Sequence, residues 1–341
     1  METKATFTYK GKTYPLSDKQ AWEGTPIAQF MTAWTDENSF VTGHTSGSTG
    51  TPKEIQLSKK AMVASARLTN QHFNLTEGKS ILLCLSTDYI AGKMVVVRAI
   101  VSNLRLVVTD TKSLPEWEGD IDFAALVPMQ VDSLLHHNAE SKMRLLAIGT
   151  IIIGGSPLSE SLQKELASNG MTSAYTTYGM TETLSHVAVA KITGNGRLNY
   201  QALKGIRFTT DNRECLVIRA PHIQEDPFIT NDVVELTDET SFTWKGRWDN
   251  VINSGGIKLF PEKIEKEIAH LINQRYYFLG EKDEHLGTRL VLKIEGDQPG
   301  EEELNNLMTA ISNCVEKYER PKKIVYMKHF EETRTGKVKR I

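Results

Sequence analysis

Three cysteines, Cys84, Cys215 and Cys314, are all that 341 residues contain. They are far apart, odd in number and without C-x-x-C spacing, which argues against a disulfide framework and predicts reduced thiols in a cytoplasmic protein. Long apolar runs are missing too. The longest are broken by Arg98 or Gly149, and residues 1–20 lack the apolar stretch of an export signal, so neither membrane insertion nor secretion is expected. There is no excess of one charge: 40 Lys and Arg against 42 Asp and Glu give a net charge of −2, which leaves no electrostatic footprint for nucleic acid or a lipid surface. The nine histidines include no H-E-x-x-H, and His136, His137 and His186 read as helix-surface or pocket-wall residues, not metal ligands. Internal repeats and low-complexity tracts are absent.

What is present is ordinary for a globular chain, with 40% hydrophobic and 24% charged residues. Single cores stop growing at roughly 250–300 residues, so two domains are expected. Residues 7–14 alternate around Lys10-Gly11, as a hairpin does. Helix-like stretches (58–74, 131–137, 159–169) then alternate with strand-like runs (81–85, 104–108, 123–127, 145–153, 173–175), the pattern of an α/β domain with largely parallel pairing. After His186 the texture turns to short strands near 214–220, 233–236 and 242–245. A last segment opens at the turn-rich Gly246-Arg247-Trp248-Asp249-Asn250 and reads as its own small α/β unit, with helices at 261–270 and 301–314 and strands near 276–279 and 290–293. The expected domains are residues 1–248 and 249–341.

The most informative stretch is Thr45-Ser46-Gly47-Ser48-Thr49-Gly50-Thr51-Pro52-Lys53, between the run Phe40-Val41-Thr42 and a helix that Ser58 can cap. It reads as a strand-to-helix loop that grips phosphate: small residues let backbone N–H groups converge on an anion, hydroxyls add donors and Lys53 adds a charge. It is not a Walker A loop, because Thr51 and Pro52 separate Gly50 from Lys53. Taken alone it is also compatible with a flexible linker. Four further segments follow: Gly154-Gly155-Ser156-Pro157-Leu158 after Ile151-Ile152-Ile153; Tyr178-Gly179-Met180-Thr181-Glu182; Phe228-Ile229-Thr230-Asn231-Asp232; and 246–258, which runs on from the same turn to Ser254-Gly255-Gly256-Ile257-Lys258. Near the end stands Arg334-Thr335-Gly336-Lys337-Val338-Lys339-Arg340.

In this order and over nearly the whole chain, these motifs resemble those of the adenylate-forming superfamily of acyl-CoA synthetases, adenylation domains and luciferases. The resemblance implies an α/β fold with a large N-terminal adenylate-forming domain and a small mobile C-terminal α/β domain. It also implies ATP, Mg²⁺ and coenzyme A as ligands. Thr45, Ser46, Gly47, Ser48, Thr49, Gly50 and Lys53 would hold phosphate; Gly154, Gly155 and Ser156 would line the adenine pocket; Tyr178 and Gly179 would lie against the base. Thr181 would contact the α-phosphate, Glu182 would ligate the metal, Asp232 would accept from the ribose and Arg247 would reach ribose or phosphates. Asp249 would be the pivot, Ser254, Gly255 and Gly256 would border the thiol channel, and Lys337 would be the adenylation lysine. Two departures stand out: Asn231 replaces the usual glycine before Asp232, and Glu331-Glu332-Thr333 replaces the usual Pro-Lys-Thr.

Only 44 residues precede the loop, so the chain is expected to be N-terminally reduced. Compact forms of this kind resemble the o-succinylbenzoate–CoA ligases of menaquinone biosynthesis. In the family the segment after the strand at Leu85 lines the acyl pocket, and here it holds Lys93 and Arg98, either of which could pair with a second substrate carboxylate. The other reading of the two is a surface lysine and a structural arginine. Two functional alternatives stay open beside acid–CoA ligation of o-succinylbenzoate: an adenylating ligase for another acid or for a carrier protein, and a nucleotide-binding homologue without catalysis.

Overall fold

The computed structural model describes residues 3–44, 54–332 and 338–340. Packing divides the chain into two units. The first comprises Met1–Phe208, Ile218–Phe228 and Asp238–Phe242; the second comprises Thr209–Val217, Ile229–Thr237 and Thr243–Ile341.

The first unit is built on strands that are apolar on both faces. Successive side chains of a strand point to opposite sides. Accordingly Ile81, Leu83, Phe123, Ala125 and Ile152 join one buried cluster, while Leu82, Cys84, Ala124, Leu126, Ile151 and Ile153 join another. Such a sheet needs cover on both sides. The helices Ala28–Thr35, Lys59–His72 and Ile90–Ser102 supply one layer through Phe30, Met62 and Val95. Pro128–His136, Ala139–Leu146 and Glu160–Ser168 supply the other through Val131, Leu145 and Leu166. Strand order runs Asn199–Ala202, His186–Lys191, Ala174–Gly179, Thr150–Ile153, Phe123–Leu126, Ser80–Leu83, Arg105–Val108, Thr6–Tyr9, Lys12–Pro15. The six from Ala174–Gly179 to Thr6–Tyr9 pair in parallel, so their carboxyl ends share one edge. The N-terminal hairpin turns at Lys10 (φ 49°) and Gly11 (φ 74°) and carries its first strand onto Arg105–Val108.

Two local expectations change. The apolar stretch 145–153 is not one strand: Asn138 Oδ1 caps the Ser141 N–H at 2.8 Å, the helix Ala139–Leu146 consumes Leu145 and Leu146, and only Thr150–Ile153 is extended. The segment 45–53 does not lead straight into a helix. Phe40–His44 pairs antiparallel with a second strand, Glu54–Ser58, whose Ile55 and Leu57 alternate with polar neighbours. Ser58 still caps the helix that follows, its Oγ accepting from the Ala61 N–H at 3.4 Å.

The second unit has its own core of Ile252, Leu259, Ile264, Ile268, Phe278, Leu290, Leu292, Ile294 and Ile311. Tyr276–Asp283 and Gly287–Glu295 form a hairpin, Lys323–Met327 adds a parallel third strand, and the helices Pro261–Glu267 and Glu301–Cys314 belong to the same unit. The two strands run longer than their apolar centres suggest because Asp283 accepts the N–H groups of His285 and Leu286 and Gly287 takes φ 70°, closing the turn at their far end. All three cysteines are free. No helix among the described residues is long and apolar enough to cross a membrane.

Phe123 is fully buried and packs on the Phe73 ring with centroids 5.3 Å apart. Phe123→Ala is expected to lower unfolding free energy by about 3–5 kcal/mol, read from the urea midpoint. Met143→Ala, at a side chain 65% exposed, is expected to stay within about 0.5 kcal/mol of the parent.

Candidate functional site

Parallel pairing decides what meets in the first unit. Ile153 is in register with Thr176, so the turn Gly154-Gly155-Ser156 and the segment that follows Gly179 leave neighbouring strands at the same edge. In open α/β sheets that edge is where ligands bind. Gly154 is required there, since a Cβ would lie 2.4 Å from Thr177 Oγ1. The same is true of Gly179, whose Cβ would lie 2.4 Å from the Ser185 carbonyl oxygen. Past Gly179 the chain folds on itself: Thr183 Oγ1 accepts from the Met180 N–H at 2.9 Å, and the Leu184 N–H donates to the Thr181 carbonyl at 3.0 Å. That tight turn leaves Glu182 exposed and Thr181 half-buried. The Tyr178 ring stands edge-on to Phe242 (5.1 Å) and Tyr200 (5.8 Å), which fixes its plane.

Behind this edge lies a buried polar group centred on Arg98. The residue sits in the helix Ile90–Ser102, is 2% exposed, and donates from Nη2 to Ser185 Oγ at 2.5 Å. Its Nε has no partner, and neither does Asn70 Oδ1. Among the described residues no carboxylate pairs with it, and burial pushes its pKa down to about 9, still a cation at neutral pH. His186 adjoins it, with Nδ1 3.3 Å from Ser185 Oγ and Nε2 3.3 Å from Thr69 Oγ1. Burial first, and then the Arg98 charge, hold the imidazole well below its ordinary 6.5. Lys93 does not share this environment: its Nζ donates to the Thr87 carbonyl at 2.5 Å and lies 5.4 Å from the Phe30 ring centroid. Of the two candidate acyl cations, Lys93 has its ammonium satisfied locally and Arg98 does not.

The second unit collects a different set. Asp232 accepts from Trp244 Nε1 at 3.1 Å and stands 3.7 Å from Arg247 Nη1. Arg247 Nη2 also donates to Asp249 at 3.0 Å, so one guanidinium bridges the expected ribose ligand and the expected pivot. Asn231 sits in the continuous strand Phe228–Asp238 and is not among the residues of positive φ, so the glycine of the resembling motif has no conformational task here. Its side chain joins the cluster instead, accepting from Arg213 Nη1 at 2.9 Å and donating to the Asp249 carboxylate at 3.3 Å. Ser254, Gly255 and Gly256 lie at a hairpin between Ile252–Ser254 and Ile257–Leu259, with φ 58° at Gly255 and 85° at Gly256. That is the pair of positive angles a two-residue turn asks for.

The candidate phosphate residues Thr45, Ser46, Gly47, Ser48, Thr49, Gly50 and Lys53, and the candidate adenylation residue Lys337, lie outside the described residues. Ser185, Asn70, Trp244 and the tie through Asn231 carry no sequence signal; each is defined by a contact between distant segments. No group of three or more His, Cys, Asp or Glu side chains able to hold a metal occurs among the described residues. The exposed Glu182 carboxylate fits a magnesium ion that keeps most of its shell from substrate phosphates and water, which is how that ion is usually held.

A doubly covered, mostly parallel sheet with glycine-bearing turns at its carboxyl edge defines an α/β protein built to hold a ligand there. The AMP-binding enzyme family model matches residues 4–211. A solved structure, the acyl-CoA synthetase (AMP-forming)/AMP-acid ligase II-like protein from Dyadobacter fermentans, is 36% identical, with 92% of this chain and 91% of that one covered at a TM-score of 0.62. The chain belongs to the AMP-binding enzyme family. Among curated relatives, the 2-succinylbenzoate–CoA ligase of Salmonella typhimurium is 25% identical over 79% of this chain and 60% of its own length. The chain thus spans about six tenths of that relative. The o-succinylbenzoate CoA synthetase of Bacillus subtilis, solved with its acyl-adenylate intermediate, shares the fold at a TM-score of 0.73 and 19% identity, over 87% of this chain and 67% of that one.

Because the folded state holds His186 neutral while the unfolded chain protonates near 6.5, protons favour the unfolded chain and stability falls as pH drops below about 6.5. His186→Gln is expected to flatten that acid limb, measured as Tm between pH 7.5 and 5.0; an unchanged slope would assign the acid sensitivity elsewhere.

Proposed function

We propose that this chain is an AMP-forming acid–CoA ligase. A substrate carboxylate oxygen attacks the α-phosphorus of ATP and expels pyrophosphate; the thiol of coenzyme A then attacks the acyl carbon and AMP leaves, with the thiol proton passing to solvent. A carboxylate alone is a poor acyl donor because oxide would have to depart, and adenylation supplies the better leaving group. The protein's share is positioning and charge compensation. Tyr178 supplies a fixed aromatic face for the base, Gly154 and Gly155 admit it closely, and Thr181 offers a hydroxyl to the α-phosphate. Asp232, oriented by Trp244, accepts from the ribose. Glu182 holds magnesium, which when bound neutralises phosphate charge. Lys53 and Lys337 are assigned to the phosphates and to the reacting oxygens. We place the mobile part at 249–341, turning about Asp249 between the two half-reactions, with Ser254, Gly255 and Gly256 beside the entering thiol.

The acid we assign is o-succinylbenzoate, in menaquinone synthesis. The observation that carries this choice is Arg98: a buried guanidinium with an unsatisfied Nε and, among the described residues, no carboxylate beside it suits a dicarboxylate whose second carboxyl reaches inward while the first meets ATP. The 2-succinylbenzoate–CoA ligases among the relatives support the same acid. Lys93 has no part in it. The cytoplasm, where ATP and coenzyme A are plentiful, is the proposed location.

The first measurement is acid-dependent pyrophosphate release across o-succinylbenzoate, benzoates and short and long fatty acids, with and without coenzyme A. Release specific to o-succinylbenzoate with a thioester product is expected; release with another acid keeps the chemistry and overturns the substrate, and release with none favours a nucleotide-binding homologue. Arg98→Leu should raise KM for o-succinylbenzoate by about 10–100-fold, the worth of a lost charge-assisted contact, with KM for ATP within about twofold. Lys93→Met should leave both near the parent values. Lys337→Ala should abolish pyrophosphate release and spare thiolysis of supplied acyl-adenylate; equal loss of both would refute that division of labour.

A further inference from the structure

The tail of the chain is tied to its own unit through Arg340. Its Nη1 and Nη2 donate to the two oxygens of Glu265 at 2.6 and 2.8 Å, and Nη1 also donates to the Phe278 carbonyl at 3.2 Å. Its guanidinium lies 5.9 Å from the Tyr277 ring centroid. Glu265 is held from the other side, accepting the Phe278 N–H at 2.8 Å. One turn earlier on the helix Pro261–Glu267, Glu262 stands 3.7 Å from Arg340 Nη2 and accepts from Asn250 Nδ2, the neighbour of Asp249 in the chain. Spacing of three residues puts Glu262 and Glu265 on one helix face, so this helix links the turn at 248–250 to the C-terminal tail. Side-chain exposure is 24% for Arg340 and 16% for Glu265.

A second set of ties joins residues 331 and 332 to residues 338 and 339. Glu332 and Val338 form an antiparallel bridge, the Lys339 N–H donates to the Glu331 carbonyl at 2.8 Å, and Lys339 Nζ lies 3.4 Å from Glu331. Arg275 donates to Glu332 while also pairing with Glu295 at 2.5 and 2.6 Å. The bridge joins the two stretches to each other, and Arg340 joins the second of them to the helix Pro261–Glu267. Lys337 stands three residues before Arg340 in the sequence, so what holds Arg340 holds the chain from which Lys337 extends.

We propose that Arg340 and Glu265 form a positioning pair that presents the lysine-bearing segment for adenylate formation and is dispensable for thiolysis. This rests on the reading of Lys337 as the adenylation lysine. Neither member touches substrate. Each acts through the backbone it fixes, and a bidentate pair suits that task because it restrains orientation as well as distance. Glutamine keeps the shape of Glu265 while removing its charge, so Glu265→Gln tests the same pair from the helix side with little change in packing.

The experiment measures the two half-reactions separately in the full chain: pyrophosphate release with ATP, Mg²⁺ and whichever acid of the panel is active, and thiolysis of the supplied acyl-adenylate by coenzyme A. Arg340→Gln and Glu265→Gln are expected to lower kcat for pyrophosphate release about 10–100-fold, with KM for ATP and acid and the thiolysis rate within about threefold; Arg340→Lys should recover part of the loss. Equal loss in both half-reactions, as a merely structural tie would give, overturns the proposal, and so does undiminished pyrophosphate release in Glu265→Gln. Lys337→Ala measured alongside separates the two ideas. If it retains pyrophosphate release the reading of the lysine has failed; if it is inactive while the Arg340 and Glu265 variants are not, only the positioning pair has.

Discussion

Parallel pairing of Thr150–Ile153 with Ala174–Gly179 is the constraint on which the first unit's candidate site depends. Two segments more than 20 residues apart acquire a common edge because their strands run the same way in matched register. The Gly154-Gly155 turn, the Tyr178 face and the hydroxyl and carboxylate of Thr181 and Glu182 all follow from that pairing. The pairing in turn depends on burial of both faces. Ile151 and Ile153 point into one helical layer and Ile152 into the other, so a slip of one residue would exchange every side chain between the two layers.

Where the site goes deeper, electrostatics takes over from topology. A guanidinium with 2% exposure and, among the described residues, no neighbouring carboxylate is costly unless something anionic meets it, and the neutral Ser185 and His186 cannot supply that charge. Charges are handled differently in the second unit, where bridges recur: Arg247 between Asp232 and Asp249, Asn231 between Arg213 and Asp249, Arg340 between Glu262 and Glu265. The turn 248–250 therefore carries two networks, one through its aspartate and one through Asn250.

Much of the fold is legible in the residues because its periodicities are strong. The continuous apolar runs at 81–85 and 151–153 announce strands buried on both sides, and the alternation about Lys10-Gly11 announces a hairpin. Misreadings arise where two local signals compete. Leu145 and Leu146 extend the apolar run ending at Ile153, yet the capping Asn138 claims them for a helix; Ile55 and Leu57 alternate too briefly to stand out beside the glycine-rich stretch before them. In the candidate site, glycines, the tyrosine and the acids carry motif signals. Ser185, Asn70 and Trp244 carry none, since each matters only through a partner elsewhere in the chain.

By itself the sequence determined the class of fold, many of its elements and the kinds of chemical group available, because hydrophobic period, turn residues and short motifs are local properties. The tertiary structure decided how those groups are used. It separated Lys93, satisfied by the Thr87 carbonyl and the Phe30 ring, from Arg98, which is buried without a counter-charge among the described residues. It turned Asn231 from a departure into a tie on Asp249, and gave Arg340, in sequence one more basic residue of a basic tail, a bidentate partner 75 positions away. The physical reason is common to all three: desolvation and pairing of a charge depend on what surrounds it in space, and neighbours along the chain do not report that.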